Sequence, residues 1–183
     1  MEELLSEINA NKCNGNYWLT ELRYIPLAGV RNFMNYKLIQ LREIGAEVEM
    51  FISSELGKLD ASVLSDNEYN QLSTMLGVIL DNMIESVSKS EKKLVSINLY
   101  IDGNKVHAEF ANNFSGSVDL TRLKELGYTT KGDKRGVGLS LIEKIIHMND
   151  RFDCKPRIMD DFFIQHLTIK IVSRKNCQKI SKK

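Results

Sequence analysis

Apolar residues recur every three or four positions over three stretches of the chain, which is the spacing of a helix with one apolar face. These stretches run from Leu27 to Leu41, from Tyr69 to Val87 and from Val137 to Met148. Gly45 is expected to end the first of these helices. Residues 1–12 are predicted to form a further short helix. The second stretch has the most continuous apolar stripe, formed by Leu72, Met75, Leu76, Ile79, Leu80, Met83, Ile84 and Val87.

Alternating apolar and polar residues predict five strands, four of them in two hairpins. Asp102-Gly103 supplies a tight turn in the first hairpin, and Asp160-Asp161 lies between the strands of the second. The predicted strands are Ala46–Ile52, Leu94–Ile101, Lys105–Asn112, Cys154–Met159 and Phe162–Val172. Because the strands pair mostly through hairpins with helices inserted between them, we expect an α+β two-layer sandwich. Its sheet would be mixed and mostly antiparallel, with the helices on one face.

Composition excludes several classes of protein. The 25 basic and 24 acidic residues nearly cancel, so charge does not favour a nucleic-acid partner. Three widely spaced cysteines without a C-x-x-C pair argue against a disulfide framework or a zinc site and fit a reducing cytoplasm. Neither a signal peptide nor an apolar run long enough for a membrane helix is found, so we expect a cytoplasmic domain without membrane contact of its own.

The segment Lys131–Leu139 is the first candidate for chemistry. Gly136 and Gly138 lie one residue apart where a helix begins, so the backbone there can approach an anion closely. Lys131 and Arg135 add positive charge. The same residues could form a flexible loop before an ordinary helix, and the P-loop pattern is absent.

Two asparagines are the other candidates. Asn82 lies beside the apolar stripe of its helix and offers the kind of oxygen that Mg²⁺ prefers, although the helix pattern alone also fits a solvent-facing Asn. Asn112 ends the predicted buried face of a strand and therefore needs a partner, whether a ligand or a turn that it caps. Asn113 is the neighbouring alternative, but its side chain is expected on the opposite face.

In this order and at these separations, the three features resemble the superfamily of gyrase, Hsp90, histidine kinases and MutL (GHKL). Residues Leu76–Ser86 are similar to its N-box, and Gly127–Leu139 to its second glycine box. The Thr-Lys-Gly segment followed by Arg-Gly-x-Gly-Leu is similar to that of the Agr-type peptide-pheromone kinases of quorum sensing. The resemblance spans about residues 27–172 and implies the Bergerat ATP-binding fold of a sensor histidine kinase catalytic domain.

The resemblance also implies roles for individual residues. Asn82 would ligate a Mg²⁺ that bridges the phosphates of ATP, and residues 113–135 would form a lid over the nucleotide. Asn112 would accept a hydrogen bond from the adenine amino group, and Thr168 would help to recognise adenine. The residues implied to contact nucleotide are Asn82, Asn112, Lys131, Gly132, Arg135, Gly136, Val137, Gly138, Leu139 and Thr168.

The chain departs from the superfamily pattern at two positions. The usual Asp of the first glycine box is replaced by Asn112, which can accept a hydrogen bond but carries no charge, so weaker nucleotide binding is expected. Val78 occupies the position where ATP-hydrolysing relatives carry a Glu, and it cannot act as a general base. Transfer of the phosphoryl group to a partner side chain is therefore favoured over hydrolysis.

None of the three histidines (His107, His147 and His166) lies in the N-terminal helical region where such kinases carry the phosphoacceptor. We therefore expect residues 1–26 to be the remnant of a dimerisation helix with its linker, residues 27–173 the catalytic domain and residues 174–183 a basic tail. The expected partners are the dimerisation and phosphoacceptor domain of a membrane-anchored parent kinase and a response regulator, and a monomeric fragment would fit the missing dimerisation helices. An anti-sigma-type serine kinase, a superfamily ATPase and a degenerate interaction module are the alternatives.

Overall fold

The computed structural model describes residues 18–115 and 137–171, which form a five-stranded sheet with helices packed on one face. The helices are α1 (Trp18–Leu22), α2 (Ala28–Glu43), α3 (Asp66–Ser88) and α4 (Val137–Met148), with 3₁₀ turns at Ser54–Lys58 and Ala61–Val63. The strands are β1 (Glu47–Ile52), β2 (Leu94–Asp102), β3 (Lys105–Asn113), β4 (Phe152–Met159) and β5 (Phe162–Lys170).

The sheet has the strand order β1-β2-β3-β5-β4, in which only the β1–β2 pair is parallel. That pair is parallel because α3 carries the chain back along the sheet between its two strands. The hairpin turns contain Gly103 and Asp160, both with positive φ. The predicted α+β class with a mixed, mostly antiparallel sheet is confirmed.

Helix α3 is the longest element and begins at a capping box. The Ser65 hydroxyl accepts a hydrogen bond from the Glu68 backbone N–H, and the Glu68 carboxylate accepts one from the Ser65 N–H at 2.7 Å. This reciprocal pairing satisfies two donors that a helix start leaves open. It also explains why α3 begins three residues before the predicted Tyr69.

The two faces of the sheet differ in composition. The helix-facing side carries alternate residues of each strand, such as Ile97, Phe110 and Leu167, all fully buried against the helices. The outer face carries Tyr100 stacked on His107, and the ring nitrogens of His107 and His166 lie 2.9 Å apart. One sandwich core therefore lies between the helices and a single side of the sheet.

Short elements were not predicted, whereas the long helices and the hairpins were. Helix α1 and the two 3₁₀ turns span too few residues to show a period. The predicted helix at residues 1–12, most of the predicted lid and the basic tail lie outside the described residues. Within the described ranges, no helix has both the length and the apolar character required to cross a membrane.

Candidate functional site

The start of α4 packs directly against one flank of α3. A side-chain carbon added at Gly138 would lie 2.9 Å from Val78 Cγ1 and 3.8 Å from Asn82 Nδ2. The first of these distances is shorter than real contacts allow, so only glycine fits without movement of its neighbours. The glycine predicted from the second glycine box and the asparagine predicted from the N-box are thus brought together.

The same flank of α3 also reaches the end of β3. Ser86, one turn after Asn82, donates a hydrogen bond from its hydroxyl to the Asn113 carbonyl at 3.3 Å. Val78, Asn82 and Ser86 recur every four residues and therefore share this flank. From Val78 to Ser86 the helix rises about 12 Å. Asn82 consequently lies between the start of α4 and the strand end that carries Asn112.

Asn82 is half-buried, and no residue of the described ranges forms a hydrogen bond with its carboxamide. The adjacent Asp81, a stronger ligand for a cation in principle, faces α2 instead. Its carboxylate accepts a salt bridge from Lys37 Nζ at 2.6 Å. Asn82, unlike Asp81, therefore offers to the groove between α3 and α4 a carboxamide with no partner among the described residues.

Asn112 and Asn113 are both buried but have different roles. Asn113 links neighbouring segments: its side-chain oxygen accepts from the Leu94 N–H at 2.7 Å, and its amide nitrogen donates to Asp161 at 3.3 Å. Asn112, on the helix-facing side, donates from Nδ2 to the Asn113 carbonyl at 2.7 Å. Because a carbonyl can only accept, this bond fixes the orientation of the Asn112 amide. Its Oδ1 is left as an acceptor with no partner among the described residues.

Gln165 on β5 is a polar residue that the sequence analysis did not select. It lies on the helix-facing side, opposite Phe110 on β3 and Pro156 on β4, and only 1% of its surface is exposed. Neither its Oε1 nor its Nε2 has a hydrogen-bond partner among the described residues. An unpaired buried polar group costs about 1–3 kcal/mol, so native proteins rarely retain one without a reason. The alternation of Phe163, Gln165 and Leu167 on one side of the strand was the signal that could have revealed it.

Thr168 is not brought together with the other candidates. Its Cα lies opposite that of His107, and side chains alternate along β5, so Thr168 faces outward with His166. The family resemblance implies a role for Thr168 at adenine, whereas the alternation along β5 places it on the outer face of the sheet.

The structure describes only part of the second glycine box. Lys131, Gly132, Arg135 and Gly136 lie outside the described residues, as does the cluster of positive charge that they would form. Of the second glycine box, the structure describes the backbone of Val137, the close contact of Gly138 and the partly buried Leu139, which packs against the core.

Neither of two other kinds of site is found within the described part of the chain. No group of three or more His, Cys, Asp or Glu side chains there is arranged to hold a metal ion. Cys154 is free and buried, and burial, with smaller contributions from Asp153 and Glu143, raises the pKa of its thiol to about 12. At neutral pH this thiol is protonated and is not a nucleophile.

Comparison with known proteins identifies the family. The GHKL domain family matches residues 68–170, more than half of the chain, and this chain belongs to that family. The sensor protein CitS of Halalkalibacterium halodurans is 30% identical over 116 residues, which cover 61% of this chain and 21% of CitS. The sensor histidine kinase DcuS of Escherichia coli is 23% identical over 141 residues, covering 74% of this chain and 25% of DcuS. The chain thus spans a quarter or less of the length of these two relatives.

Solved structures show the same fold. The nucleotide-free catalytic domain of histidine kinase ThkA superposes with a TM-score of 0.58 at 15% identity, over 78% of this chain and 90% of that one. Full-length ShkA in complex with AMPPNP superposes with a TM-score of 0.59 at 17% identity, over 88% of this chain and 36% of ShkA. These matches are to sensor kinases in general, so the resemblance to the Agr type stays a prediction.

Proposed function

We propose that this chain is the ATP-binding catalytic domain of a sensor histidine kinase and that it transfers the γ-phosphoryl group of ATP to a histidine outside this chain. The observation that carries the proposal is the contact of Gly138 with Val78 and Asn82. It sets the start of a helix, which favours anions, beside the Asn82 carboxamide, which has no hydrogen-bond partner among the described residues. Membership of the GHKL family and the sensor kinases among the relatives support it.

The described residues fit a nucleotide laid along the flank of α3. Its phosphates would lie at the start of α4, where helix N–H groups lack partners within the helix. Its base would lie near Asn112, about 12 Å away along α3. Lys131 and Arg135 are proposed to neutralise phosphate charge, as the family resemblance implies. Asn82 would hold Mg²⁺ through its carboxamide oxygen, and the metal would offset the negative charge of the phosphates.

The chemistry of this groove favours transfer to another side chain. Val78, which contacts the start of α4, has no group that could activate water. All three histidines also lie away from the groove: His107 and His166 face outward from the sheet, and His147 is in the last turn of α4. We therefore propose that the acceptor belongs to the dimerisation domain of a membrane-anchored parent kinase, with a response regulator downstream.

Calorimetric titration with ATP, with and without Mg²⁺, tests the nucleotide site. Asn82→Ala is expected to abolish the benefit of Mg²⁺ and to weaken binding about tenfold or more, because a metal ligand is lost. Asn70→Ala on the exposed side of α3 is the matched control and should bind like the wild type. Absence of ATP binding by the wild type at millimolar concentration would refute the proposal and leave a domain kept for protein contacts.

A phosphotransfer assay tests the reaction. The chain is incubated with labelled ATP and a dimerisation domain that carries a candidate histidine, and the product is then treated with acid. Loss of the label in acid is expected for phosphohistidine. Acid-stable label would instead favour the serine kinase alternative.

A further inference from the structure

We propose that Gln165 binds the nucleotide base, its carboxamide forming paired hydrogen bonds with the edge of adenine. This inference rests on the proposed function and adds to it a residue that determines base binding. The observation behind it is a fully buried amide, both of whose polar atoms lack a partner among the described residues.

The position of Gln165 places it under the groove between the two helices. Strand β5 lies between β3 and β4 in the sheet. Helix α3 packs on β3, and α4 packs on β4. A side chain on the helix-facing side of β5 therefore points toward the groove whose walls include Asn82 and Gly138.

Gln165 is also a neighbour of Asn112. Asn112 lies opposite Phe163 on β5, so Gln165, two residues along the same side, is its diagonal cross-strand neighbour. Diagonal neighbours lie within about 8 Å of each other, and long side chains can span that distance. The two residues are the only buried polar side chains on the helix-facing side within the described residues.

The two amides differ in the freedom of their orientation. The Asn112 amide nitrogen is held by the Asn113 carbonyl, so Asn112 presents only an acceptor to the groove. This acceptor suits the amino group of adenine and repels the carbonyl oxygen at the same position of hypoxanthine. Neither polar atom of the Gln165 amide is bonded to a described residue, so the amide can offer its donor and its acceptor together, the pairing that Gln forms with adenine edges in other settings. Asn112 would thus select the base, and Gln165 would strengthen its binding.

The test measures binding of ATP, inosine triphosphate and tripolyphosphate to the wild type and to Gln165→Met, which keeps the size of the side chain but loses its hydrogen bonds. Gln40→Met on α2 is the control. We expect Gln165→Met to weaken ATP binding roughly tenfold or more, as for a lost bidentate pair. Tripolyphosphate binding should change by less than about twofold, because tripolyphosphate engages only the phosphate site. The preference for ATP over inosine triphosphate should persist, because the two nucleotides engage the same phosphate site and Asn112 is intact.

Thermal unfolding without ligand separates base binding from a structural role. Because Gln165 has no hydrogen-bond partner to lose among the described residues, Gln165→Met should unfold at a temperature no lower than the wild type. A lower unfolding temperature together with equally weakened ATP and tripolyphosphate binding would overturn the proposal in favour of a structural role. Unchanged ATP affinity in Gln165→Met, with a loss in Thr168→Val, would overturn it in favour of the outward-facing threonine. If the wild type bound neither ATP nor tripolyphosphate, the proposed function itself would fail.

Discussion

The two ends of the interface between the helices and the sheet bury polar groups in opposite ways. At one end, Arg151 pairs with the Glu68 carboxylate at 2.8 Å and donates to the carbonyls of Val63 and Lys170. At the other end, the Gln165 amide and the Asn112 Oδ1 have no partner among the described residues. At the first end, the protein itself supplies the hydrogen-bond partners of the polar groups. At the second end, under the proposed function, a ligand supplies them.

The difference separates groups that stabilise the fold from groups that are kept for binding. The Arg151 guanidinium joins the start of α3, a 3₁₀ turn and the end of β5, three segments far apart in sequence. Removing it would leave several acceptors unpaired, with a large cost in stability. Removing an amide that has no partner should cost little in stability and much in ligand binding.

Loss of the Arg151 network is expected to have the largest effect on stability. Arg151→Met should lower the free energy of unfolding by about 2–3 kcal/mol, because it leaves the Glu68 carboxylate, whose side chain is only 15% exposed, without its charge partner and the Val63 carbonyl without its donor. Urea denaturation measures this change. ATP affinity should be unchanged, since the network lies at the other end from the candidate site.

Arg157→Met is the matched control for that prediction. Arg157 pairs with Glu109 at 2.9 Å, but its side chain is 52% exposed, against 14% for Arg151. Exposed ion pairs contribute about 0–1 kcal/mol. If the two variants lost similar stability, burial would not distinguish the Arg151 network from an exposed ion pair. The contrast between the two ends would then be wrong.

Gly138 offers a test of the other end. Gly138→Ala is expected to weaken ATP binding about tenfold, because its new methyl group would displace the start of α4 from Val78. Val78→Ala removes the carbon that the methyl group would meet, so the double variant should recover most of the lost affinity. Calorimetry on the single and double variants measures the coupling. No recovery would show that the close contact with Val78 is not what requires glycine at this position.

The Glu68 carboxyl is expected to make a smaller contribution to stability that depends on pH. Burial alone would raise the pKa of its carboxyl, but hydrogen bonds from Ser65 and the charge of Arg151 outweigh burial and hold the pKa below its usual 4.5. The unfolded chain therefore binds more protons in acid, so this contribution to stability is complete above about pH 4.5 and is lost as the pH falls through the folded-state pKa. Urea denaturation between pH 3 and 6 should show a shallower acid loss in Arg151→Met. Equal slopes in the two proteins would count against the pairing.

Much of the fold follows from local patterns in the sequence. The apolar stripes of α2, α3 and α4 and the alternation in both hairpins specify those elements, because each must bury one face. The choice of Asn112 over Asn113 for the helix-facing side also followed from alternation. Helix α1 was not predicted, because five residues show no period.

The polar residues were harder to predict. The role of Arg151 depends on three segments that meet only in the folded chain, so no local pattern indicates it. The alternation along β5 places Gln165 on the helix-facing side of the sheet, whereas the family resemblance favours Thr168. Whether a buried amide has a partner is a property of the packed core, and the sequence alone does not contain it.

The most direct test of the central claim is an amide NMR titration with Mg²⁺ and a non-hydrolysable ATP analogue. Shift changes should concentrate at Asn82, Asn112, Gly138 and Gln165, and the amides around Glu68 and Arg151 should be nearly unaffected. The largest changes around Glu68 and Arg151, or no localised changes at saturation, would contradict the placement of the nucleotide between α3, α4 and the sheet.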